Sequence, residues 1–166
     1  TVGLLLRRMR ENSQARAESS SNMPADNWIY IQERDVRIGR LQVFNNWSPD
    51  LVDDKNNVWL GLEYFCQEGD PLWCMKDAEM IAFASEELEQ IGMIDKADVL
   101  DATVVRAPKT YPAYFGAYEE FPKVREWLDG FDNLFLVGRN GMHRYNNQDH
   151  SMLTAKLAVE SILSGN

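Results

Sequence analysis

Residues 133–152 read Asn133-Leu134-Phe135-Leu136-Val137-Gly138-Arg139-Asn140-Gly141-Met142-His143-Arg144-Tyr145-Asn146-Asn147-Gln148-Asp149-His150-Ser151-Met152. The apolar run 134–137 predicts a buried strand, and Met152–Leu163 predicts a helix. The loop between them holds two glycines, two arginines, two histidines, a tyrosine, three asparagines and an aspartate. Free N–H groups at a helix start attract anionic or electron-rich groups, so the loop favours a large polar ligand. The alternative is a polar turn before a helix that Asp149 or Ser151 caps.

The rest of the chain carries strand and helix patterns. Apolar and β-branched runs predict strands over Val2–Arg8, Trp28–Gln32, Arg40–Phe44, Val58–Cys66 and Leu100–Ala107. The middle three have short connections, so we expect an antiparallel meander. Apolar spacing predicts a helix over Ala78–Ile91, capped by Asp77, and a shorter helix centred on Val124–Leu128. Glu11–Asp26 is typical of a loop. The predicted fold class is α+β: a largely antiparallel sheet backed by helices, followed by a C-terminal strand–loop–helix.

Composition narrows the function classes. The chain has 166 residues and a net charge of −9, which argues against a nucleic-acid-binding surface. No apolar run reaches membrane-spanning length and no signal peptide is visible, so we expect a cytoplasmic location. Cys66 and Cys74 fit no zinc spacing, and we expect two buried reduced thiols and no metal. A solvated acidic face is predicted for Asp70, Glu79, Glu86, Glu87 and Glu89.

Several short motifs occur together in the chain. Gly138-Arg139 follows the last apolar run, and Tyr145 lies shortly before the last helix. Arg144–Asn147 is followed by Asp149–Met152. Further upstream stand Asn27–Glu33, Phe44–Pro49 and Trp59–Phe65. In this combination the motifs resemble the protoporphyrinogen oxidase / amine oxidase superfamily, in a subgroup similar to UDP-galactopyranose mutase and its FAD-dependent relatives. The resemblance covers nearly the whole chain.

The resemblance implies that this chain is the C-terminal part of a larger FAD-dependent oxidoreductase. Residues 1–130 would form a substrate-side domain, and residues 131–166 would close the FAD domain. The cofactor-binding residues that it implies are Gly138, Arg139, Asn140, Gly141, Asn147, Gln148 and Asp149. The family's Gly-x-Gly-x-x-Gly motif does not occur in this sequence. We therefore expect an N-terminal FAD-binding part of the same polypeptide as partner, and no FAD bound to these residues alone. Self-association through the exposed domain seam is a further expectation.

Other functional readings stay open. The mutases carry an aspartate two residues after the conserved tyrosine, where this chain has Asn147. A flavin-dependent nucleotide-sugar mutase is therefore an alternative to the oxidoreductase, and a non-enzymatic interaction module is another. Catalytic residues are not assigned. His143 and His150 have no recognisable triad partner, so they are expected to act as supporting hydrogen-bonding residues.

A small-molecule substrate is expected to meet aromatic and cationic side chains. Strand alternation places Trp28 and Tyr30 on one face and Ile29 and Ile31 on the other, one face being core. Such aromatic residues are either sheet core or the lining of a cavity. The predicted substrate-binding residues are Tyr145, Arg144, Tyr30, Trp47 and Tyr64.

Overall fold

The computed structural model describes residues 1–11, 21–111 and 113–165, so most of the predicted Glu11–Asp26 loop lies outside the described residues. The chain divides into two compact units, Thr1–Pro108 (unit 1) and Lys109–Asn166 (unit 2). This division falls before the predicted functional boundary between residues 130 and 131. The substrate-side and FAD-closing roles of the two predicted parts stay predictions. None of the described helices has both the length and the apolar character needed to cross a bilayer.

Unit 1 is built on a five-stranded sheet in which every neighbouring pair is antiparallel. Its strands are β1 (Val2–Leu6), β2 (Trp28–Tyr30), β3 (Arg40–Val43), β4 (Val58–Glu63) and β5 (Val99–Val104). The spatial order is β2-β3-β4-β1-β5. The structure therefore confirms the α+β class, and it confirms the meander predicted from the short connections between β2, β3 and β4.

Six α-helices and three short 3-10 turns accompany these strands among the described residues. The helices are α1 (Phe44–Trp47), α2 (Pro71–Cys74), α3 (Asp77–Gln90), α4 (Phe121–Leu128), α5 (Gly138–Gly141) and α6 (Gln148–Ser164). Asp77 was predicted to cap α3, but it is the first residue inside the helix and Lys76 takes the cap position. The Asp77 carboxylate is engaged elsewhere, because it accepts a hydrogen bond from Arg106 Nη1 at 2.6 Å.

One face of the sheet carries the core of unit 1. Alternate residues of the three central strands point to this face and are buried, among them Leu4, Leu41, Leu60 and Leu62. Helix α3 covers them with Met80, Ala84 and Leu88, as its apolar spacing predicts. The other sheet face carries the intervening residues, among them Trp28, Tyr30, Arg40, Gln42, Trp59 and Glu63. These residues form what we call the open face.

Unit 2 consists of α4, α5, α6 and their connections. The strand predicted at 134–137 is wrong, because these residues form no ladder with any described segment. A strand exists only where its N–H and C=O groups pair with a neighbour, and the N–H of Leu134 instead bonds Phe131 O at 3.3 Å. The predicted helices are confirmed: α4 surrounds Val124–Leu128, and α6 begins four positions before Met152.

Candidate functional site

Arg139 is the centre of the polar loop in unit 2. It lies in the short helix α5, directly after Gly138, whose φ of 71° is in the left-handed region that favours glycine. The guanidinium carbon lies 4.4 Å from the ring centre of Tyr111 and 4.3 Å from that of Tyr145. The two rings are nearly parallel, with centres 6.0 Å apart. Both distances from the guanidinium carbon to a ring centre exceed half of the separation between the rings. The guanidinium therefore lies beside the two stacked rings and contacts both, and it is not sandwiched midway between them.

Two nitrogens of Arg139 are buried without a hydrogen-bond partner among the described residues. They are Nε and Nη2, and both are shielded from solvent. These atoms form one edge of the guanidinium, and their parallel N–H groups can bind two acceptors of a carboxylate, a phosphate or a planar ring edge. Burying such a donor unpaired costs about 1–3 kcal/mol, so an acceptor that completes this edge gains that much.

The start of α6 is the second polar feature of the loop. Asn147 occupies the cap position, but its side chain makes no capping hydrogen bond. Neither predicted cap, Asp149 or Ser151, occupies that position. Ser151 Oγ instead donates to Asn146 Oδ1 at 2.8 Å. The backbone N–H of His150 is the main influence that lowers the pKa of the exposed Asp149 carboxyl. The helix start therefore combines N–H groups with one carboxylate of its own.

The remaining predicted cofactor residues lie around this loop. Asn140, Gly141 and Gln148 are exposed. The N–H of Gly138 donates to Thr154 Oγ1 of α6 at 3.0 Å, which fixes α5 against α6. Arg144, predicted to bind substrate, is exposed in the same loop, and Tyr145 is 54% exposed. The loop thus brings Arg139 and Tyr145 into contact.

The two histidines have different surroundings. The ring of His143 lies among Tyr114, Tyr118 and Phe121, with ring centres 5.1–6.4 Å away. Its φ is 48°, and its carbonyl accepts a hydrogen bond from the Tyr118 hydroxyl at 3.2 Å. His143 therefore fixes the loop by packing. His150 is exposed and its Nδ1 lies 3.1 Å from Asp149 Oδ1.

The open face of unit 1 gathers two of the predicted substrate residues. The Arg40 guanidinium carbon lies 4.1 Å from the centre of the Trp28 ring and 5.8 Å from that of Tyr30. Trp47 packs its edge against Trp28 at 6.4 Å. Arg40 also pairs with Glu63, whose other oxygen accepts from Gln42. Trp28 and Tyr30 thus share one face, as alternation predicts, and remain 42% and 62% exposed.

Tyr64 does not belong to this surface, which corrects its predicted place beside Tyr30. It packs against the core and against Phe83 of α3, and its hydroxyl donates to Glu87 Oε2 at 2.9 Å. Burial, followed by the negative charge of Glu87, raises the pKa of Tyr64. Glu87 also corrects a prediction, because it is only 5% exposed rather than part of a solvated acidic face. Its carboxylate accepts hydrogen bonds from the backbone N–H groups of Arg37 and Ile38. A buried carboxylate needs such donors, because water cannot reach it.

The sequence reasoning missed Tyr111 and Arg40. Tyr111 lies two residues after Lys109, whose φ of 53° is in the left-handed region, and nothing in the local sequence pattern marks a contact with Arg139. Arg40 had a visible signal, because alternation from buried Leu41 places it on the face of Tyr30. The thiols of Cys66 and Cys74 are free, but neither is buried as predicted, because Cys66 is half-buried and Cys74 is exposed. Among the described residues no group of three His, Cys, Asp or Glu side chains could hold a metal ion.

Comparison with known proteins gives a likeness to solved structures. No protein-family profile matches the chain, and no curated protein matches it either. Among solved structures, the chain is similar to a crystal structure of reduced UDP-galactopyranose mutase, with a TM-score of 0.70 and 20% sequence identity. The likeness covers 99% of this chain and 33% of that one, so this chain spans about a third of the length of the mutase. At this identity the likeness establishes the fold.

Proposed function

We propose that this chain forms one side of a flavin site in an FAD-dependent enzyme, with unit 2 supplying the contacts to the cofactor. The observation that carries the proposal is the buried, unpaired edge of Arg139. A flavin offers acceptors of matching geometry in its pyrophosphate and along its ring edge. The resemblance of Gly138-Arg139 and Tyr145 to the amine oxidase superfamily supports the same cofactor.

The residues of unit 2 suit this role in different ways. Tyr111 and Tyr145 hold the guanidinium by cation–π contact, which fixes its direction before an acceptor arrives. Gly138 allows the backbone to turn sharply at the start of α5. The uncapped start of α6 offers N–H groups that attract negative charge. The bound flavin would supply the electron-transfer or nucleophilic chemistry, and these residues would hold and orient it.

The overall reaction is proposed to be an oxidation of a small molecule, with the open face of unit 1 contributing to the substrate cavity. Trp28, Tyr30 and Trp47 offer exposed rings there, beside the Arg40–Glu63 pair. The likeness to UDP-galactopyranose mutase favours a second candidate, a non-redox rearrangement of a nucleotide sugar. Asn147 weighs against the mutase, because a neutral amide stands where the mutases carry a carboxylate.

Absorption spectroscopy of the whole natural polypeptide that contains these residues tests the proposal. We expect the visible bands of oxidised flavin in the purified protein. The Arg139→Ala variant loses a charge-assisted contact of about 1.5–3 kcal/mol, so its affinity for FAD should fall about ten- to a hundredfold. Arg139→Lys should recover part of this, because an ammonium lacks the planar fork.

Arg125→Ala is the matched control for the Arg139 variant. It also removes one guanidinium from unit 2, but Arg125 is exposed and pairs with Asp129, the residue that follows α4. Its FAD affinity should equal that of the unsubstituted protein. A colourless whole polypeptide, or equal FAD affinity in the Arg139→Ala and Arg125→Ala variants, would overturn the proposed site. Turnover that consumes no electron acceptor would favour the mutase over the oxidoreductase.

A further inference from the structure

His143 has a backbone conformation that glycine normally supplies. Its φ is 48°, in the left-handed region, where the Cβ of an L residue crowds the following carbonyl. Its N–H donates to Asn140 O at 3.2 Å, and the N–H of Arg144 donates to Arg139 O at 3.2 Å. These two nested hydrogen bonds end α5 in a Schellman motif, whose left-handed position is usually glycine. A histidine at this position is therefore strained, and contacts of its side chain have to offset the strain.

The imidazole of His143 makes such contacts with three aromatic rings. The ring centres lie 5.1 Å away for Phe121, 5.6 Å for Tyr118 and 6.4 Å for Tyr114, within the about 4.5–7 Å over which aromatic rings attract one another. The Tyr118 and Phe121 rings are themselves stacked, with 8° between their planes. The Tyr118 hydroxyl also donates to His143 O at 3.2 Å, so one neighbour holds both the ring and the backbone of His143.

The turn at His143 fixes the backbone of Arg139. Arg139 O accepts a hydrogen bond that closes the turn, so this carbonyl keeps its direction as long as His143 keeps its φ. Tyr111, whose ring centre lies 4.4 Å from the Arg139 guanidinium carbon, belongs to the stretch of chain before α4. Tyr114 and Tyr118, which pack on the imidazole, belong to the same stretch. The imidazole therefore joins the two stretches of unit 2 that meet at Arg139, which are the polar loop and the tyrosine-bearing chain before α4.

We infer that His143 is a positioning residue for Arg139. Its imidazole, held by Tyr118 and Phe121, keeps the left-handed turn in one place and so sets the direction of the unpaired Nε and Nη2 edge of Arg139. Glycine would form the same turn at lower cost, but it would leave the turn free to move against α4. The role of His143 in cofactor binding rests on the proposed function, whereas its effect on the position of Arg139 does not.

Nitrogen-15 NMR of the whole natural polypeptide, without added FAD, measures the position of Arg139. Aromatic rings that stack against a guanidinium shield it and move its Nε–H proton resonance upfield. We expect this upfield shift for Arg139, whose resonance is assigned by its absence in the Arg139→Lys variant. The His143→Gly variant keeps the left-handed turn and removes the imidazole, so most of the upfield shift should be lost.

Cofactor affinity should follow the position of Arg139. The FAD affinity of the His143→Gly variant should fall about three- to tenfold, because its guanidinium is misdirected and no longer held ready for the acceptor. Phe121→Ala removes the opposite side of the same ring contact and should have the same effect on the Arg139 resonance and on FAD affinity. The double variant should lose no more than the more affected single variant, since both changes act through one contact.

Trp127→Ala is the matched control for the Phe121→Ala variant. It removes a ring from the same helix, but Trp127 is 66% exposed and its ring packs edge-on against Phe131 at 4.8 Å. Its Arg139 resonance and FAD affinity should equal those of the unsubstituted protein. The inference is overturned if His143→Gly keeps the Arg139 shift, because the turn alone would then hold the guanidinium. It is also overturned if the losses of the two single variants add in the double variant.

Flavin content separates this inference from the proposed function. Loss of the Arg139 shift in His143→Gly, in a polypeptide that holds no flavin, would sustain the positioning role while the proposed cofactor site fails. A flavin-bearing polypeptide whose His143→Gly variant binds FAD as tightly as the unsubstituted protein would leave the proposed site standing and overturn the positioning role.

Discussion

Replacing Glu87 by glutamine should destabilise unit 1 although the side chain keeps its size and shape. The carboxylate lies almost fully buried on α3 and accepts three hydrogen bonds, from the N–H groups of Arg37 and Ile38 and from the Tyr64 hydroxyl. The hydrogen bonds from Arg37 and Ile38 hold the segment before β3 against α3, the helix behind the sheet. Because this segment leads directly into Arg40, they also help to position Arg40 on the open face.

The size of the effect follows from counting donors. The amide group of glutamine can accept with only one of its two ends, so one backbone N–H faces another donor whichever way the side chain is placed. An unsatisfied buried N–H costs about 1–3 kcal/mol, and the remaining bonds lose the assistance of the charge. Relief of the buried charge offsets part of this, and we expect a net loss of about 2–3 kcal/mol. For a unit of this size that lowers the melting temperature by about 10 °C.

Urea unfolding followed by circular dichroism measures the loss, with the slope of the transition expected to stay constant. Glu86→Gln is the matched control, because Glu86 is the preceding residue of the same helix with a side chain 73% exposed. Its ion pair with Lys96, at 3.7 Å, is a surface contact, so the change should stay within about 0.5 kcal/mol. The reasoning is refuted if Glu87→Gln is as stable as Glu86→Gln.

Three further predictions concern the same structure. Because burial raises the pKa of Tyr64 above its ordinary value, the native state resists ionisation that the unfolded chain undergoes. The contribution of Tyr64 to the stability of unit 1 should therefore be fully present below the ordinary tyrosine pKa and should be lost as pH rises above it. Thermal melts across alkaline pH should show a less steep loss of stability in the Tyr64→Phe variant. Equal slopes in the two proteins would contradict this prediction. The Arg40→Ala variant leaves the half-buried Glu63 carboxylate with Gln42 as its remaining partner, so the free energy of unfolding in urea should fall by about 1–3 kcal/mol. Tryptophan fluorescence should also shift, because the Trp28 ring loses the cation stacked on it. An unchanged spectrum would argue against the stacked geometry. The 166-residue chain should bind FAD only weakly because it lacks the dinucleotide motif, and saturable quenching of flavin fluorescence below micromolar concentration would contradict this.

Much of unit 1 could be predicted from local pattern. Short connections between alternating runs fix the order of β2, β3 and β4, and the spacing of Met80, Ala84 and Leu88 fixes the face that α3 buries. The same rules could have placed two residues that we assigned wrongly. Tyr64 is two positions after buried Leu62, and Glu87 is seven positions after buried Met80, so both belong to the core side by period alone. We had assigned Tyr64 from its aromatic character and Glu87 from its charge, and not from their positions in the hydrophobic pattern.

Other features depend on contacts that no local pattern contains. Tyr111 and Arg139 lie far apart in sequence, and their contact forms only when the chain of unit 2 closes. The apolar run 134–137 has the composition of a strand but lacks a partner among the described residues, and composition cannot supply one. The loop around Arg139 could therefore be identified as a candidate site from its polarity, whereas the aromatic support of the guanidinium could not.

Two features of unit 2 depart from the rules of a self-sufficient fold. Unit 1 buries the leucines of its central strands and pairs its buried carboxylate, although the rings of its open face stay exposed. Unit 2 leaves two buried donors of Arg139 without acceptors and turns the large side chains of α6 outward. Each departure costs free energy, the first through unpaired buried donors and the second through apolar surface left in water. Since the N–H of Gly138 donates to Thr154 Oγ1, α5 is held against α6, and this contact helps to fix the direction in which Arg139 presents its free edge.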